Sequence, residues 1–457
     1  MSDNLHFIGI GGIGMSALAR IALQRGLRVS GSSDKASATT ERLHEEGATV
    51  FIGHQASHVP KLGRVVVTSA VRSDNPELLA AQATGLPILR RGELLAEWFN
   101  TQRGIALAGT HGKTTTTAML ASIFEQAGYD PTVAVGGERR ETGTNFRCGA
   151  SEWFISEADE SDGSFLALRP QIALVSNIEN DHITSDEGIA GLITQFRTFL
   201  GSIPAHGLAV VCADEPAAHA LAQEARPART VQYGFSPEAD YQARNACYEG
   251  FNSRCEVFAR GVKIGDIALQ IPGAMNLSNA LAATTIASEV GIAFEHIAKA
   301  LAGFGGVRRR FDILARDERM SIVDDYAHHP TALAATIAAA RHAHPGPIIV
   351  AFQPHRYTRT EYLAADFARA LVGVEQVVLT EIYAASEPPI AGVDERLIGD
   401  PLTRAGAHVV YVRRADLNEY LFTHTPPGTL VLLLGAGDIT AVAHGLAARI
   451  QPAVALV

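Results

Sequence analysis

The sequence is poor in cysteine and in long apolar runs, and each shortage excludes a class of protein. Only four cysteines occur among 457 residues, and none form a Cys-x-x-Cys pair, so we expect neither a disulfide framework nor a zinc ribbon. A reduced, cytoplasmic setting fits this composition. No apolar run approaches the roughly 18 residues of a membrane span. Because the N-terminus has no basic leader, we expect no signal peptide.

Positive charge is also scarce. Lys and Arg total 38 against 48 Asp and Glu, which gives a net charge of −10. Proteins that bind a nucleic-acid backbone depend on clustered Lys and Arg, so we expect no nucleic-acid partner. Small anionic ligands need only a few local charges and stay possible. With 47% hydrophobic residues the chain is globular, and its length predicts two to four domains.

The stretch from Gly104 to Tyr129 predicts a phosphate-binding loop. A short apolar strand runs into Gly109-Thr110-His111-Gly112-Lys113-Thr114, and a helix follows. Glycines let backbone N–H groups close on an anion, lysine supplies a charge, and the threonine hydroxyl suits Mg²⁺. The full Walker pattern needs glycine at position 107, where this chain has leucine. An ordinary glycine turn with a solvated lysine is the alternative.

The first segment predicts a second phosphate-binding turn. A strand enters Gly9-Ile10-Gly11-Gly12-Ile13-Gly14, a helix follows, and Asp34 lies twenty residues further on. This pattern is typical of a dinucleotide fold and makes an NAD-dependent dehydrogenase one hypothesis. A glycine loop at a helix N-terminus binds any pyrophosphate, including that of a UDP-sugar. Ser69 and Arg90 end two further predicted strands and join the candidate ligands, although Arg90 and Arg91 could equally form a surface pair.

Acidic and imidazole side chains follow two predicted strands of the middle segment. Trp153 to Ser156 leads into Glu157-Ala158-Asp159-Glu160, and Ile172 to Ser176 leads toward Asp181-His182. Parallel strands present their carboxyl ends on one edge, so we expect Lys113, Glu160 and His182 to meet in one crevice. Carboxylates there would be oxygen ligands for a Mg²⁺–nucleotide. A solvated acidic turn is the alternative reading.

Two asparagines open a helix rich in alanine and threonine. Asn276 and Asn279 lie three residues apart, on one face of its first turn. An amide offers a donor and an acceptor together, which suits an adenine edge. Helix capping is the simpler alternative.

Strands that end in polar loops recur in the last segment and predict another open α/β sheet. Candidate residues on these loops are Asp324, Tyr326, His328, His355, Arg356 and Arg359, and Arg310 lies just before them at a change of composition that predicts a hinge. These loops could be solvated connections, but their content of histidine, arginine and aspartate favours a ligand site.

Taken jointly, five motifs resemble the Mur ligases. They are Gly-Ile-Gly-Gly-Ile-Gly-Met-Ser (9–16), Gly-Thr-His-Gly-Lys-Thr-Thr-Thr-Thr (109–117), Glu-Ala-Asp-Glu-Ser-Asp-Gly-Ser-Phe (157–165), Asp-Asp-Tyr-Ala-His-His-Pro-Thr (324–331) and Gln-Pro-His-Arg-Tyr-Thr-Arg-Thr (353–360). The resemblance implies a three-domain α/β protein. Its parts would be a Rossmann-like UDP-sugar-binding domain (1–98), a central ATP-binding domain (99–305) and a Rossmann-like domain (306–457) that closes on the nucleotide and binds an amino acid.

The resemblance also implies an activity and assigns residues to it. The expected reaction is ATP-dependent amide formation between L-alanine and the lactyl carboxylate of UDP-N-acetylmuramate, through an acyl phosphate, in cytoplasmic peptidoglycan precursor synthesis. ATP would contact Gly109, Thr110, His111, Gly112, Lys113, Thr114, Thr115, Asn276, Asn279, Arg310, Asp324 and Tyr326. The UDP-sugar would contact Gly9, Gly11, Gly12, Ile13, Gly14, Asp34, Ser69 and Arg90. Thr114, Glu160 and His182 would hold Mg²⁺, with two ions expected. Lys113, Glu160, His182 and His328 would be catalytic, and His355, Arg356 and Arg359 would lie near the amino acid and the acyl phosphate.

Three alternatives stay open at this point. A recycling ligase that attaches a whole tripeptide to the same sugar nucleotide is the nearest. An NAD-dependent dehydrogenase accounts for residues 9–34 but leaves the phosphate loop without a role. A non-enzymatic nucleotide-binding regulator would need neither His182 nor Arg356.

Overall fold

The computed structural model describes residues 4–68, 71–161, 163–179, 188–225, 229–385 and 387–450. Three separate sheets follow one another along the chain, with five, ten and six strands. Helices alternate with mostly parallel strands in each of them. The predicted α/β class is therefore confirmed. Among the described residues, no helix combines the length and the apolar character that crossing a bilayer requires.

The first sheet is entirely parallel and has the order β3-β2-β1-β4-β5. Its elements are β1 (Asn4–Ile8), α1 (Ile13–Gln24), β2 (Arg28–Ser33), α2 (Ala38–Glu45), β3 (Thr49–Ile52), β4 (Arg64–Val67), α3 (Pro76–Thr84), β5 (Ile88–Arg90) and α4 (Arg91–Phe99). Strand order reverses beside β1, and the crevice at such a switch point is where open α/β sheets bind ligands. Asn75 caps α3, and Pro76 occupies its first helical position.

The middle sheet has the order β15-β14-β13-β12-β11-β10-β6-β9-β7-β8. Its elements are β6 (Arg103–Ala108), α5 (Lys113–Gln126), β7 (Thr132–Ala134), β8 (Phe146–Arg147), β9 (Trp153–Glu157), β10 (Ile172–Val175), α6 (Gly188–Gly201), β11 (Leu208–Cys212), α7 (Pro216–Ala225), β12 (Thr230–Gly234), β13 (Tyr241–Glu249), β14 (Asn252–Ala259), β15 (Val262–Leu269), α8 (Ala274–Val290) and α9 (Phe294–Ala302). β6 lies between β9 and β10 and is parallel to both. The carboxyl ends of these three strands consequently share one edge.

The third sheet has the order β16-β17-β21-β18-β19-β20, and only β16 is antiparallel to its neighbour. Its elements are β16 (Asp312–Arg316), β17 (Met320–Asp325), α10 (Pro330–Ala343), β18 (Ile348–Phe352), α11 (Tyr357–Leu371), β19 (Gln376–Leu379), α12 (Arg396–Arg404), β20 (Val409–Tyr411), α13 (Arg414–His424), β21 (Thr429–Leu434) and α14 (Ile439–Ala447). The central strands β18 and β21 are buried apolar runs, as expected for strands covered on both faces.

Candidate functional site

The loop between β6 and α5 has the backbone that its glycines predict. Gly109 has a φ of +134° and Gly112 a φ of +84°, in the region that side chains rarely adopt. A β-carbon on Gly112 would also collide with the side-chain oxygen of Asn279. The loop therefore brings the N-terminus of α5, where N–H groups have no partner within the helix, to the edge where β6 ends.

Lys113 lies within this loop and forms an ion pair with Glu160. Its Nζ atom is 2.8 Å from Oε2 and 3.0 Å from Oε1 of the carboxylate, and it also donates to the carbonyl of Gly109 at 2.5 Å. The lysine side chain is 14% exposed and the glutamate 2%. The predicted convergence of Lys113 and Glu160 is thus present in the described structure.

A second carboxylate, Glu157, contacts the next residue of the loop. The hydroxyl of Thr114 donates to Oε2 of Glu157 at 3.2 Å, and the N–H of Gly136 donates to the other oxygen. Arg310 of the third domain reaches the same hydroxyl at 3.3 Å. Burial raises the pKa of Glu157 above its ordinary value, against the opposing effect of Gly136, Lys113 and Arg310. Glu157 is therefore the carboxylate that shares a site with Thr114.

A third carboxylate, Asp159, links this edge to the first domain. Arg91 approaches Oδ2 of Asp159 to 3.5 Å. Burial acts to raise the pKa of Asp159, but the charges of Lys113 and Arg91 outweigh it and hold the pKa below its ordinary value. Arg91 also lies against Gly14, so it spans the gap between the N-terminal glycine loop and the acidic strand end.

The two asparagines of α8 occupy different environments. Asn279 accepts a hydrogen bond from the hydroxyl of Thr116 at 3.2 Å and so packs directly on the phosphate loop. Asn276 is buried and donates to the carbonyl of Pro272 at 2.7 Å. That bond is a local contact with the residue four positions earlier, just before the helix, and α8 has no side-chain cap. Adenine recognition by these amides stays a prediction.

A cluster of His111, Glu179 and His329 joins the middle and third domains. Nε2 of His111 lies 3.3 Å from Oε2 of Glu179, and Nδ1 of His329 lies 3.6 Å from the same oxygen. Thr331 donates its hydroxyl to that oxygen at 2.7 Å. The three ligand atoms lie within 4.8 Å of one another, but two imidazoles make a set more suited to zinc than to magnesium. We interpret the cluster as a contact between domains.

The loop that precedes β16 packs on the one that follows β17. The guanidinium groups of Arg309 and Arg310 each lie 4.9 Å from the ring centre of Tyr326. Asp324 is fully buried and accepts from Thr440 at 2.6 Å. Burial raises the pKa of Asp324, and it raises that of the neighbouring Asp325 to about 6. Arg310 thereby connects Tyr326 to the phosphate loop.

The remaining candidates of the third domain lie side by side. The ring of His328 is 5.7 Å from that of His355, and His355 stacks on Tyr383 at 5.6 Å. Nη1 of Arg359 lies 3.1 Å from Nδ1 of His355. Arg356 immediately precedes α11 and has a φ of +71°. The strain of a positive φ in a residue other than glycine is characteristic of functional sites.

Three matches to family models cover most of the chain. Residues 4–103 match the Mur ligase family, catalytic domain, residues 107–287 the Mur ligase middle domain, and residues 309–437 the Mur ligase, glutamate ligase domain. The chain belongs to the Mur ligase family.

Individual relatives make the similarity more specific within the Mur ligases. The UDP-N-acetylmuramate–L-alanine ligase of Carboxydothermus hydrogenoformans is 44% identical over 97% of this chain and 96% of the relative. That of Sorangium cellulosum is 43% identical over 98% and 96%. The crystal structure of UDP-N-acetylmuramate-alanine ligase from Thermotoga maritima superposes with a TM-score of 0.84 at 29% identity, covering 98% of both chains. A murein peptide ligase from Psychrobacter arcticus, at 23% identity and a TM-score of 0.74, shares the fold.

Within this Mur ligase, the first-domain candidates lie at the carboxyl edge of its sheet. The glycine loop of residues 9–14 leads into α1, and Asp34 follows β2 with a side chain that is 85% exposed. Arg90 is exposed, whereas Arg91 faces Gly14 and Asp159. Contact of these residues with a UDP-sugar stays a prediction.

Some predicted residues lie outside the described part of the chain, and others were missed. His182 and Ser69 are both outside the described residues. Residues that the structure adds to the site are Glu157, Asp159, Arg91, Glu179 and His329. Each of them lies within three positions of a residue that the motifs singled out. Their role depends on which of several nearby side chains points inward, and spacing alone does not determine this.

Proposed function

We propose that the chain is an ATP-dependent ligase that joins L-alanine to the lactyl carboxylate of UDP-N-acetylmuramate. The observation that carries this is the pairing of Lys113 and Thr114 with Glu160 and Glu157 at one strand edge. Full-length identity of 44% to a UDP-N-acetylmuramate–L-alanine ligase supports the same substrates. Such a reaction belongs to peptidoglycan precursor synthesis, which places the protein in the cytoplasm.

The first chemical step activates the carboxylate. A carboxylate oxygen attacks the γ-phosphorus of ATP, the bond to the β–γ bridging oxygen breaks, and ADP leaves with that oxygen. The product is an acyl phosphate. Lys113 is placed to neutralise charge on the β- and γ-phosphates during transfer. Glu160 holds the ammonium beside the loop until the phosphates take its place.

The oxygen donors beside the loop fit magnesium. A threonine hydroxyl at the helix start and carboxylates at a strand end form a hard, oxygen-only set. We propose Thr114 and Glu157 as the donors to one ion, with Glu160 beside it once Lys113 turns to phosphate, and His182 as a donor to a second ion. When bound, Mg²⁺ would supply positive charge that stabilises the negative charge developing in transfer.

The second step forms the amide. The neutral amine of L-alanine attacks the acyl carbon, a tetrahedral intermediate forms, and phosphate leaves as the nitrogen loses a proton. Nδ1 of His328 lies 2.9 Å from the carbonyl of Tyr326, so a proton on Nδ1 leaves Nε2 as the acceptor nitrogen. We assign proton acceptance to His328 on this ground. Arg356 and Arg359 are placed to bind the alanine carboxylate and the leaving phosphate.

The remaining ATP and sugar contacts complete the proposal. Asn276, Asn279, Asp324 and Tyr326 would surround the adenosine part of ATP. The glycine loop of residues 9–14 and Asp34 would bind the pyrophosphate and the ribose of the UDP-sugar. The crevice between the first two domains, which Arg91 and Asp159 line, would then hold the muramate portion.

Phosphate release assayed with UDP-N-acetylmuramate, ATP and Mg²⁺ tests the proposal. We expect turnover with L-alanine and little with the tripeptide L-alanyl-γ-D-glutamyl-meso-diaminopimelate. Turnover with the tripeptide alone would establish the recycling ligase instead. Absence of turnover with both would overturn the ligase assignment.

A further inference from the structure

A buried group of five side chains lies beside the proposed uridine site and has no part in the chemistry described above. We name it the Glu77 cluster and define it as His6, Ser32, His54, His58 and Glu77. Glu77, His6 and Ser32 are fully buried. The members come from β1, from β2, from the connection between β3 and β4, and from the start of α3. Such a concentration of polar groups is costly to bury unless it fixes a geometry.

Glu77 is the centre of the cluster. Its Oε2 accepts from the hydroxyl of Ser32 at 2.5 Å and lies 3.5 Å from Nε2 of His6. Its Oε1 is 2.8 Å from Nδ1 of His58 and accepts the N–H of Gln55 at 3.3 Å. A carboxylate with this many partners is held in one position.

His54 connects the cluster to the carboxyl edge of the sheet, where the UDP-sugar is proposed to bind. Its Nδ1 is 3.4 Å from Oε2 of Glu77 and 2.9 Å from the hydroxyl of Ser32. Its Nε2 is 3.0 Å from Oδ1 of Asp34. The imidazole therefore bridges a buried carboxylate and an exposed one. Without that bridge Asp34 would be an unconstrained, solvated side chain at the end of β2.

We propose that Glu77 is a positioning residue for the UDP-sugar, acting through His54 to hold Asp34 in the orientation that binds the uridine ribose. The inference deepens the proposed function and rests on it for the identity of the ligand. Its physical basis is that the contacts of Nδ1 with Glu77 and Ser32 fix the orientation of the imidazole ring, whose Nε2–H then donates to the Asp34 carboxylate. Fixing Asp34 in advance removes an ordering cost from binding.

The test compares four single variants of the full-length protein. Glu77→Gln keeps the shape of the side chain but removes its charge. His54→Gln removes the imidazole that contacts both carboxylates, and Asp34→Asn removes the charge of the exposed carboxylate. Glu97→Gln is the matched control, because Glu97 forms an exposed ion pair with Arg64 in the same domain. The dissociation constant of UDP is measured by calorimetry, and KM is measured for each substrate.

We expect Glu77→Gln and His54→Gln each to raise the dissociation constant of UDP and the KM of the UDP-sugar about tenfold, with KM for ATP and L-alanine within about twofold of wild type. The Glu77→Gln/Asp34→Asn double variant should bind UDP no more weakly than Asp34→Asn alone. Independent, multiplying effects would overturn the proposal. So would an unchanged dissociation constant in both Glu77→Gln and His54→Gln.

The UDP-binding test can be decided independently of the proposed ligase activity. UDP binding is measured without ATP or L-alanine, so absence of alanine-dependent turnover would reject the ligase and leave this test decisive. Should Glu77→Gln fail to fold, His54→Gln carries the test, because His54 lies near the surface and its loss leaves Glu77 with three other side-chain partners. Failure of the wild-type protein to bind UDP would overturn the inference itself.

Discussion

The ammonium of Lys113 lies 2.8 Å from Oε2 of Glu160, and the two form an ion pair at the mouth of the phosphate loop. This pairing keeps a charged lysine beside the loop where it would otherwise be poorly solvated. Triphosphate offers the lysine a stronger set of oxygen partners. Binding of nucleotide would then exchange one partner of Lys113 for another and release Glu160 toward the proposed metal site.

Removal of the Lys113 charge should abolish phosphoryl transfer without affecting the first domain. We expect Lys113→Ala to reduce turnover by at least about 100-fold, the scale for loss of one charge-stabilising donor. UDP binding measured by calorimetry should be unchanged. Lys263→Ala is the control, because Lys263 forms exposed ion pairs in the β14–β15 hairpin. Equal loss of turnover and UDP binding would contradict the separate roles of the domains.

The two glutamates should differ in their effect on metal affinity. Glu157 contacts Thr114, whereas Glu160 contacts Lys113. We expect Glu157→Gln to raise the Mg²⁺ concentration needed for half-maximal turnover at least about tenfold, and Glu160→Gln to raise it less. Turnover of both variants is measured at increasing Mg²⁺ concentrations. Their binding of Mn²⁺ is measured by electron paramagnetic resonance. The reverse order would assign the metal to Glu160.

Sequence patterns predicted the elements that bear the site with little error. The predicted strands at Trp153 to Ser156 and at Ile172 to Ser176 each differ by one residue from β9 and β10. Apolar runs that end in glycine or in charged residues specify such strands strongly, because burial on both faces permits little else. The hairpins of residues 241–269 follow no such pattern, since β13 and β15 are partly exposed and alternate weakly.

Side-chain direction was less predictable than position. The strand ends within the motif Glu157-Ala158-Asp159-Glu160. The alternation of side chains along a strand therefore no longer determines the direction of each carboxylate. The sequence favoured Glu160 as the metal ligand, and the structure places Glu157 on Thr114. For the same reason Arg91, the first residue of α4, faces the crevice instead of Arg90. Contacts between domains, such as Glu179 with Thr331, leave no local pattern in the sequence.

Loss of Arg359 should weaken L-alanine binding selectively. Arg359 is 6% exposed and lies beside His355, on the first turn of α11. A guanidinium that binds a carboxylate contributes a charge-assisted hydrogen bond. We expect Arg359→Ala to raise KM for L-alanine on the order of 10- to 100-fold and KM for ATP by much less. Arg369→Ala, on the exposed face of the same helix, is the control. An unchanged alanine requirement would remove Arg359 from the pocket.

The contact of Thr331 with Glu179 should stabilise the closed arrangement of the middle and third domains. The bond is 2.7 Å long and crosses between the domains. Thr331→Val removes the donor and keeps the shape, so we expect turnover to fall about fivefold. Thr331→Ser retains the hydroxyl and should stay near wild type. Equal turnover in the two variants would show that the contact does not contribute to closure.

Acid should remove the stabilising effect of Glu77. Burial acts to raise its pKa, but hydrogen bonds from His6, Ser32 and His58 outweigh it and lower the pKa to about 2, from 4.5. Because the pKa is lower in the folded state, the stabilisation is complete above about pH 4.5 and is lost as pH falls from there toward 2; at neutral pH it is on the order of 3 kcal/mol.

Glu77→Gln lacks this contribution. We therefore expect calorimetry to give Glu77→Gln a lower melting temperature than wild type, by a constant amount between about pH 5 and 7. The difference in melting temperature should narrow below about pH 4.5. Glu97→Gln should follow the wild type throughout, and a gap that stayed constant down to the acid limit of folding would contradict the ionised state of Glu77.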